Sequence, residues 1–205
     1  MGFYQRHVLP RLIDLAMKND DASRLRQAWI PRARGEVLEV GIGSGRNLPF
    51  YSSDVRRVYG VDPSLELQRL ARRRTAGRLL NVEFLTQTAE EPVEIGDKSI
   101  DTVVVTWTLC SIPNVSKALR EMKRVLKPGG SLIFVEHGRA PDPAVAAWQE
   151  RLTPVWKRIG GGCHLNRPID GLIREAGFEI VELKTGYLPG PRPMTFTYQG
   201  IARHA

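Results

Sequence analysis

A chain of 205 residues with 42% hydrophobic content can bury one substantial core, which excludes an intrinsically disordered protein and makes 1–205 a single expected domain. Two cysteines, Cys110 and Cys163, are too few for a disulfide framework or a cysteine-rich zinc site, so a reducing, cytoplasmic setting is expected. The formal charge of +8 admits a polyanionic partner, yet the arginines are spread through helical segments without interleaved aromatics. That pattern points away from nucleic acid and leaves peripheral contact with an anionic membrane open.

The N-terminal stretch MGFYQRHVLPRLIDLAMKND scatters charges through its apolar positions, so neither a signal peptide nor a membrane span is expected there. Arg6 stands where a myristoylation signal needs Ser or Thr. Val8, Leu12, Leu15 and Ala16 fall at helical spacing, and a second helix is predicted from Ala22 to Ile30, stopped by Pro31. Short apolar runs then alternate with helical ones. Glu36–Val40, Arg57–Asp62, Asn81–Thr86, Ser99–Thr106 and Ser131–His137 read as strands, several apolar on both faces. Leu65–Arg74 and Val115–Leu126 read as helices, and a further helix is expected behind the glycines that follow the first strand.

This alternation predicts an α/β fold with a doubly wound, mostly parallel, Rossmann-like sheet. Beyond Pro141 and Pro143, the segment Ala144–Ile159 carries Val145, Trp148, Leu152, Val155, Trp156 and Ile159 on one stripe, with Pro154 expected to kink or divide the helix. The loop IGGGCHLNR, residues Ile159–Arg167, follows, then a short helix around Ile169–Ala176 and two strand-like runs, 178–188 and 195–204. Two consecutive terminal strands imply an antiparallel pair.

Gly41, Gly43 and Gly45 lie directly after the first strand and let the backbone turn tightly against a ligand. A dinucleotide-binding fingerprint needs its third glycine at position 46, where Arg46 stands, and the preceding acid Glu39 suits a cationic ligand head better than a pyrophosphate. Asp62 ends the second strand at the distance where an acid grips ribose hydroxyls; with Pro63 behind it, Asp62 is equally a good helix N-cap.

With these residues the sequence resembles the class I S-adenosylmethionine-dependent methyltransferases, whose sheet has seven strands. The resemblance implies that Gly41, Gly43 and Gly45 pass under the amino-acid end of S-adenosylmethionine, that Glu39 and Asn47 hold that loop, and that Asp62 and Pro63 meet the ribose. It implies adenine contacts from Thr88, Ala89 and Glu90 and a boundary at Thr106, with S-adenosylhomocysteine as the product. Thr106–Asn114, TWTLCSIPN, lacks both the Asn/Asp-Pro-Pro-aromatic motif of enzymes that methylate base amines and the Pro-Cys of cytosine C5 enzymes. With that segment, the LKPGG turn, Glu136-His137 and Pro154–Arg167, the chain resembles the alkyl thiol S-methyltransferases and their bacterial relatives, a branch related to quinone-biosynthesis methyltransferases.

The expected function is therefore methyl transfer to a small apolar acceptor, a thiol ahead of a phenol, a quinone precursor or a phospholipid amine. A non-catalytic polyanion binder is the alternative class. His137 is the candidate general base, since a histidine titrates near ~6.5 and stands at the carboxyl end of a strand, and a hydrogen bond that holds the loop after that strand is its equal alternative. The helices of 1–35 are expected to form a lid carrying Tyr4 and His7, and 141–175 an acceptor pocket. Trp107, Trp148, Trp156, Cys163, His164, Asn166 and Arg167 are its candidate lining, beside His137. No metal is expected, because the loop alone offers too few ligands.

Overall fold

A computed structural model describes residues 8–77 and 79–204. Its elements are α1 (Leu9–Ala16), α2 (Asp20–Trp29), β1 (Gly35–Val40), β2 (Val55–Val61), α3 (Leu65–Thr75), β3 (Asn81–Leu85), β4 (Ile100–Thr106), α4 (Val115–Val125), β5 (Leu126–His137), α5 (Pro143–Ile159), α6 (Ile169–Glu175), β6 (Phe178–Tyr187), α7 (Arg192–Thr195) and β7 (Phe196–His204). The seven strands form one sheet in the order β3-β2-β1-β4-β5-β7-β6. The first five are parallel, and β7 runs antiparallel to both β5 and β6, which places the expected terminal pair with β6 at the edge.

The central strands are apolar on both faces because both faces are covered. Leu38, Val103, Val105, Leu132 and Phe134 point into a core shared with α4 and α6, while Val37, Val104, Ile133 and Val135 point the other way, toward Trp29 and Ile30. On α4, Val115, Ala118, Leu119, Met122 and Val125 recur at helical spacing and are buried. The side chain of Asn114 caps that helix by accepting from the Lys117 amide at 3.0 Å. Among the described residues no helix is long and apolar enough to cross a membrane.

Two expectations are corrected. The segment after β1 forms only a 3-10 turn, Leu48–Phe50, in place of a helix. Asn47 and Tyr51, at the two ends of that turn, both bond to Glu39, which closes the segment on itself. The second correction concerns α5, which runs undivided through Pro154 and buries Ala146, Gln149 and Thr153. Half of the predicted apolar stripe faces outward, with Trp148 54%, Val155 61% and Ile159 52% exposed, while Val145, Leu152 and Trp156 are half-buried. The reason is Gln149, whose amide accepts from the Ala140 amide and donates to the Gly138 and Pro193 carbonyls. Three satisfied bonds from one side chain orient the helix more strongly than its half-exposed apolar residues do.

Pro154 leaves the Glu150 carbonyl without its helical donor. Pro154→Ala should restore that bond and stabilise the protein by roughly 1 to 3 kcal/mol, read as a higher urea midpoint at unchanged m-value.

Candidate active site

The chain leaves β1 toward β2 on one side and β4 toward β5 on the other, so a crevice opens between their carboxyl ends. A cavity of about 1100 Å³ occupies it. Glu39, Gly41, Gly43, Asn47, Asp62, Pro63, Thr88, Ala89, Glu90, Thr106 and Trp107 line it, so eleven positions singled out from the sequence meet in one place. The opposite wall comes from α1, through Leu9, Pro10, Ile13, Asp14 and Met17, and from Ile112, Pro113, Gly161 and Gly162.

Glu39, next to last in β1, is fully buried, and burial raises its carboxyl to about 7 against the hydrogen bonds it accepts. Its Oε1 accepts from Asn47 Nδ2 at 2.9 Å and its Oε2 from the Tyr51 hydroxyl at 2.8 Å. Asn47 also donates to Thr106 Oγ1 at 3.0 Å and accepts from Arg26 Nε at 3.1 Å. Arg26 in turn stacks on Trp107, 4.8 Å from the ring centroid, and burial lowers its guanidinium to about 10. Trp107 itself sits at φ +49°, a conformation that a bulky residue adopts only when its surroundings impose it.

Asp62 does not cap α3. Ser64 does, accepting from the Leu67 amide, while Asp62 accepts from the Ser64 amide at 2.8 Å and the Gly43 amide at 3.0 Å. Burial raises the Asp62 carboxyl, and those two amides oppose the shift. A carboxylate has about four acceptor sites, so two remain for a ligand. Gly43, at φ +51°, would carry a Cβ with nothing nearer than 3.8 Å, so its bare backbone faces open space beside Asp62. Gly45 has a different place: it sits against Ala71 and Leu48, outside the cavity lining.

The expected acceptor side chains are not in this wall. His137, Trp148, Trp156, Cys163, His164, Asn166 and Arg167 are all outside the lining, and His137 is buried with Nδ1 3.8 Å from Cys163 Sγ. His164 meets the Cys110 carbonyl with both its amide and its ring, Arg167 donates to the Leu109 carbonyl, and Asn166 donates to Glu150. His164 and Arg167 staple their loop to the segment after β4 and Asn166 ties it to α5, and of the loop only Gly161 and Gly162 reach the cavity. Gly162, at φ +86°, lies where a Cβ would come within 3.2 Å of the Ser111 carbonyl. Tyr4 and His7 lie outside the described residues.

A family model described as a methyltransferase domain matches residues 38–134. The phosphatidylethanolamine N-methyltransferase of Cereibacter sphaeroides is 32% identical over 175 residues, covering 84% of this chain and 84% of that protein. The chain belongs to the S-adenosylmethionine-dependent methyltransferase family. Thiol S-methyltransferase TMT1B of Rattus norvegicus is 40% identical over 151 residues, 72% of this chain, and the match spans 62% of that relative. A crystal structure of a SAM-dependent methyltransferase from Methanosarcina mazei superimposes with a TM-score of 0.67 at 26% identity, covering 84% of this chain and 93% of that one.

Four charged side chains of this site escaped the sequence reading. Arg26 shares the buried stripe of α2 with Ala22 and Trp29, and an arginine at i, i+4, i+7 with buried residues is the signal that was there to find. Asp14 falls on the α1 face of Pro10 and Met17; it accepts from Ser44, from Arg46 Nε at 2.9 Å and from Arg74 at 3.1 Å. Burial works to raise its carboxyl, but those partners outweigh burial and hold it below the usual range. Lys157 and Arg158 reach the cavity from the end of α5.

The sign of the Glu39 effect is testable. Between its ordinary 4.5 and about 7 the ligand-free folded protein holds a proton that the unfolded chain releases, so stability falls as pH rises across that window. The contribution is on the order of 3 kcal/mol. Thermal denaturation at pH 5 and pH 8 should give a loss of stability in the wild type that shrinks in Glu39→Gln; equal losses in both would remove this role.

Proposed function

We propose that the protein is an S-adenosylmethionine-dependent methyltransferase that acts on a small apolar acceptor, with a thiol favoured. The observation that carries this reading is the pairing, in one cavity, of Gly43 and Asp62 on one side with the apolar wall of Leu9, Pro10, Ile13, Ile112 and Pro113 on the other. The residues fit the methyl donor: Asp62 retains acceptor sites for ribose hydroxyls, Thr88, Ala89 and Glu90 border the space for adenine, and the buried Glu39 network favours a cationic amino-acid end. Bound there, S-adenosylmethionine supplies an electrophilic methyl group on a sulfonium, leaving S-adenosylhomocysteine.

The remaining work is alignment. Holding an acceptor against a fixed methyl group supplies roughly 7 to 11 kcal/mol of such a barrier, and the α1 wall excludes water while it does so. His137, beneath the wall, is not placed to take the acceptor's proton. A thiol with an ordinary pKa near ~8.5 is already partly ionised at neutral pH, and Lys157 and Arg158 favour its thiolate.

A second reading, N-methylation of a phospholipid headgroup, draws on the similarity to the Cereibacter sphaeroides relative. The same two cations would then meet the phosphate.

Calorimetry with S-adenosylhomocysteine should show binding that Asp62→Ala weakens by about tenfold or more, the loss of charge-assisted hydrogen bonds to a buried ligand. Unchanged affinity would displace the donor from this cavity. Methyl transfer should then be followed with an alkyl thiol and, separately, with phosphatidylethanolamine vesicles. Turnover on the thiol that follows its ionisation, with an apparent pKa raised in Lys157→Gln/Arg158→Gln, supports the first reading; turnover on the vesicles alone replaces it with the second.

A further inference from the structure

The loop at Ile159–Arg167 offers too few metal ligands by itself, but the fold adds to it. Cys110 comes from the segment after β4 and His137 from the last residue of β5, and both converge on Cys163. One ligand atom from each lies within 4.8 Å of the other two. A tetrahedral ion with bonds of ~2.3 Å to sulfur and ~2.0 Å to nitrogen spaces its ligands by roughly 3.5 to 4 Å, so small side-chain adjustments close the set. Cys110 and His137 are buried, at 3% and 7% exposure, and the His137 Nε2 has no hydrogen-bond partner. The ring presents its other nitrogen, Nδ1, to Cys163 Sγ at 3.8 Å, about the spacing of two ligands on one tetrahedral ion, so ligation through Nδ1 fits the geometry.

From this geometry we propose that Cys110, His137 and Cys163 form a binding site for a thiophilic metal cation of the zinc or cuprous type. Two thiolates and one imidazole select soft or borderline ions over magnesium and calcium. Binding releases the protons of both thiols and joins three pieces of chain distant in sequence. Two of these pieces adjoin the cavity, since Ser111 follows Cys110 and Gly162 precedes Cys163, and both residues are in its lining. The ion therefore fixes the wall against which the acceptor would rest, from a position outside the cavity itself. Arg167, which donates to the Leu109 carbonyl, supplies a nearby positive charge that limits the negative charge of the dithiolate.

The test uses the full-length, reduced protein freed of metal by chelation and titrated with cobalt(II), then with zinc and with copper(I) held by a competing chelator. Cobalt should produce a sulfur-to-metal charge-transfer band and intense tetrahedral d–d bands, saturating at a single equivalent and displaced by zinc. Cys163→Ser should about halve the charge-transfer intensity, leaving the share of Cys110, and weaken affinity beyond the ~10 to 100-fold that outer-shell changes cost, and His137→Gln should shift the d–d bands. Should a cysteine variant fail to fold, wild-type protein decides the matter: bound zinc should protect Cys110 and Cys163 together from alkylation, read by mass spectrometry. Absence of a charge-transfer band, a band of unchanged intensity and affinity in Cys163→Ser, or equal alkylation with and without zinc overturns the site.

Discussion

A carboxylate without access to water organises the carboxyl edge of this sheet. Glu39 could not stay in the interior as a bare charge, because desolvation would cost more than the packing of β1 returns. It is retained because Asn47 and Tyr51 each give it a hydrogen bond, and those two bonds shape the turn between them. Asn47 then passes the constraint outward, to Thr106 on β4 and to Arg26 on α2. The glycine loop, the end of β4 and the N-terminal helices are thereby held in one frame, and the cavity is the space that frame leaves open.

The same device recurs on β5. Glu136 is fully buried, burial pushes its carboxyl well above the ordinary range, and its Oε1 accepts from the Thr108 and Leu109 amides at 2.8 and 3.1 Å. It holds the segment after β4 as Glu39 holds the segment after β1. Two acids at the carboxyl ends of otherwise apolar strands thus fix the two loops that flank the crevice.

Much of this was legible in the chain. The β/α alternation, the glycines after the first strand and the acid ending the second are local patterns, and they led to the sheet and to residues that line one cavity because local patterns determine them. The side chains expected around an acceptor lie outside that cavity for a physical reason. Trp148, Val155 and Ile159 have helical spacing, but spacing gives only the stripe; Gln149, through three hydrogen bonds across the fold, decides which way the helix turns. His137, Cys163 and Arg167 carry reactive groups and so drew attention as pocket residues, yet their partners lie some 25 to 60 residues away along the chain. Arg26 and Asp14 were overlooked because a charged residue on a helix is ordinarily solvated, and only its place on the buried stripe says otherwise.

The contribution of α1 to the cavity has a consequence for how the molecule holds itself together. Leu9, Pro10 and Ile13 are wall and helix at once, so an occupant that touches them pulls the N-terminal segment onto the body with part of its own binding free energy. The exchange is reciprocal: the ionic clasp of Asp14 with Arg46 and Arg74 lowers the cost of filling the cavity by as much as filling it tightens the clasp. Affinity at this site is therefore partly a measure of how firmly a short helix, far from the reacting atoms in sequence, is fastened down.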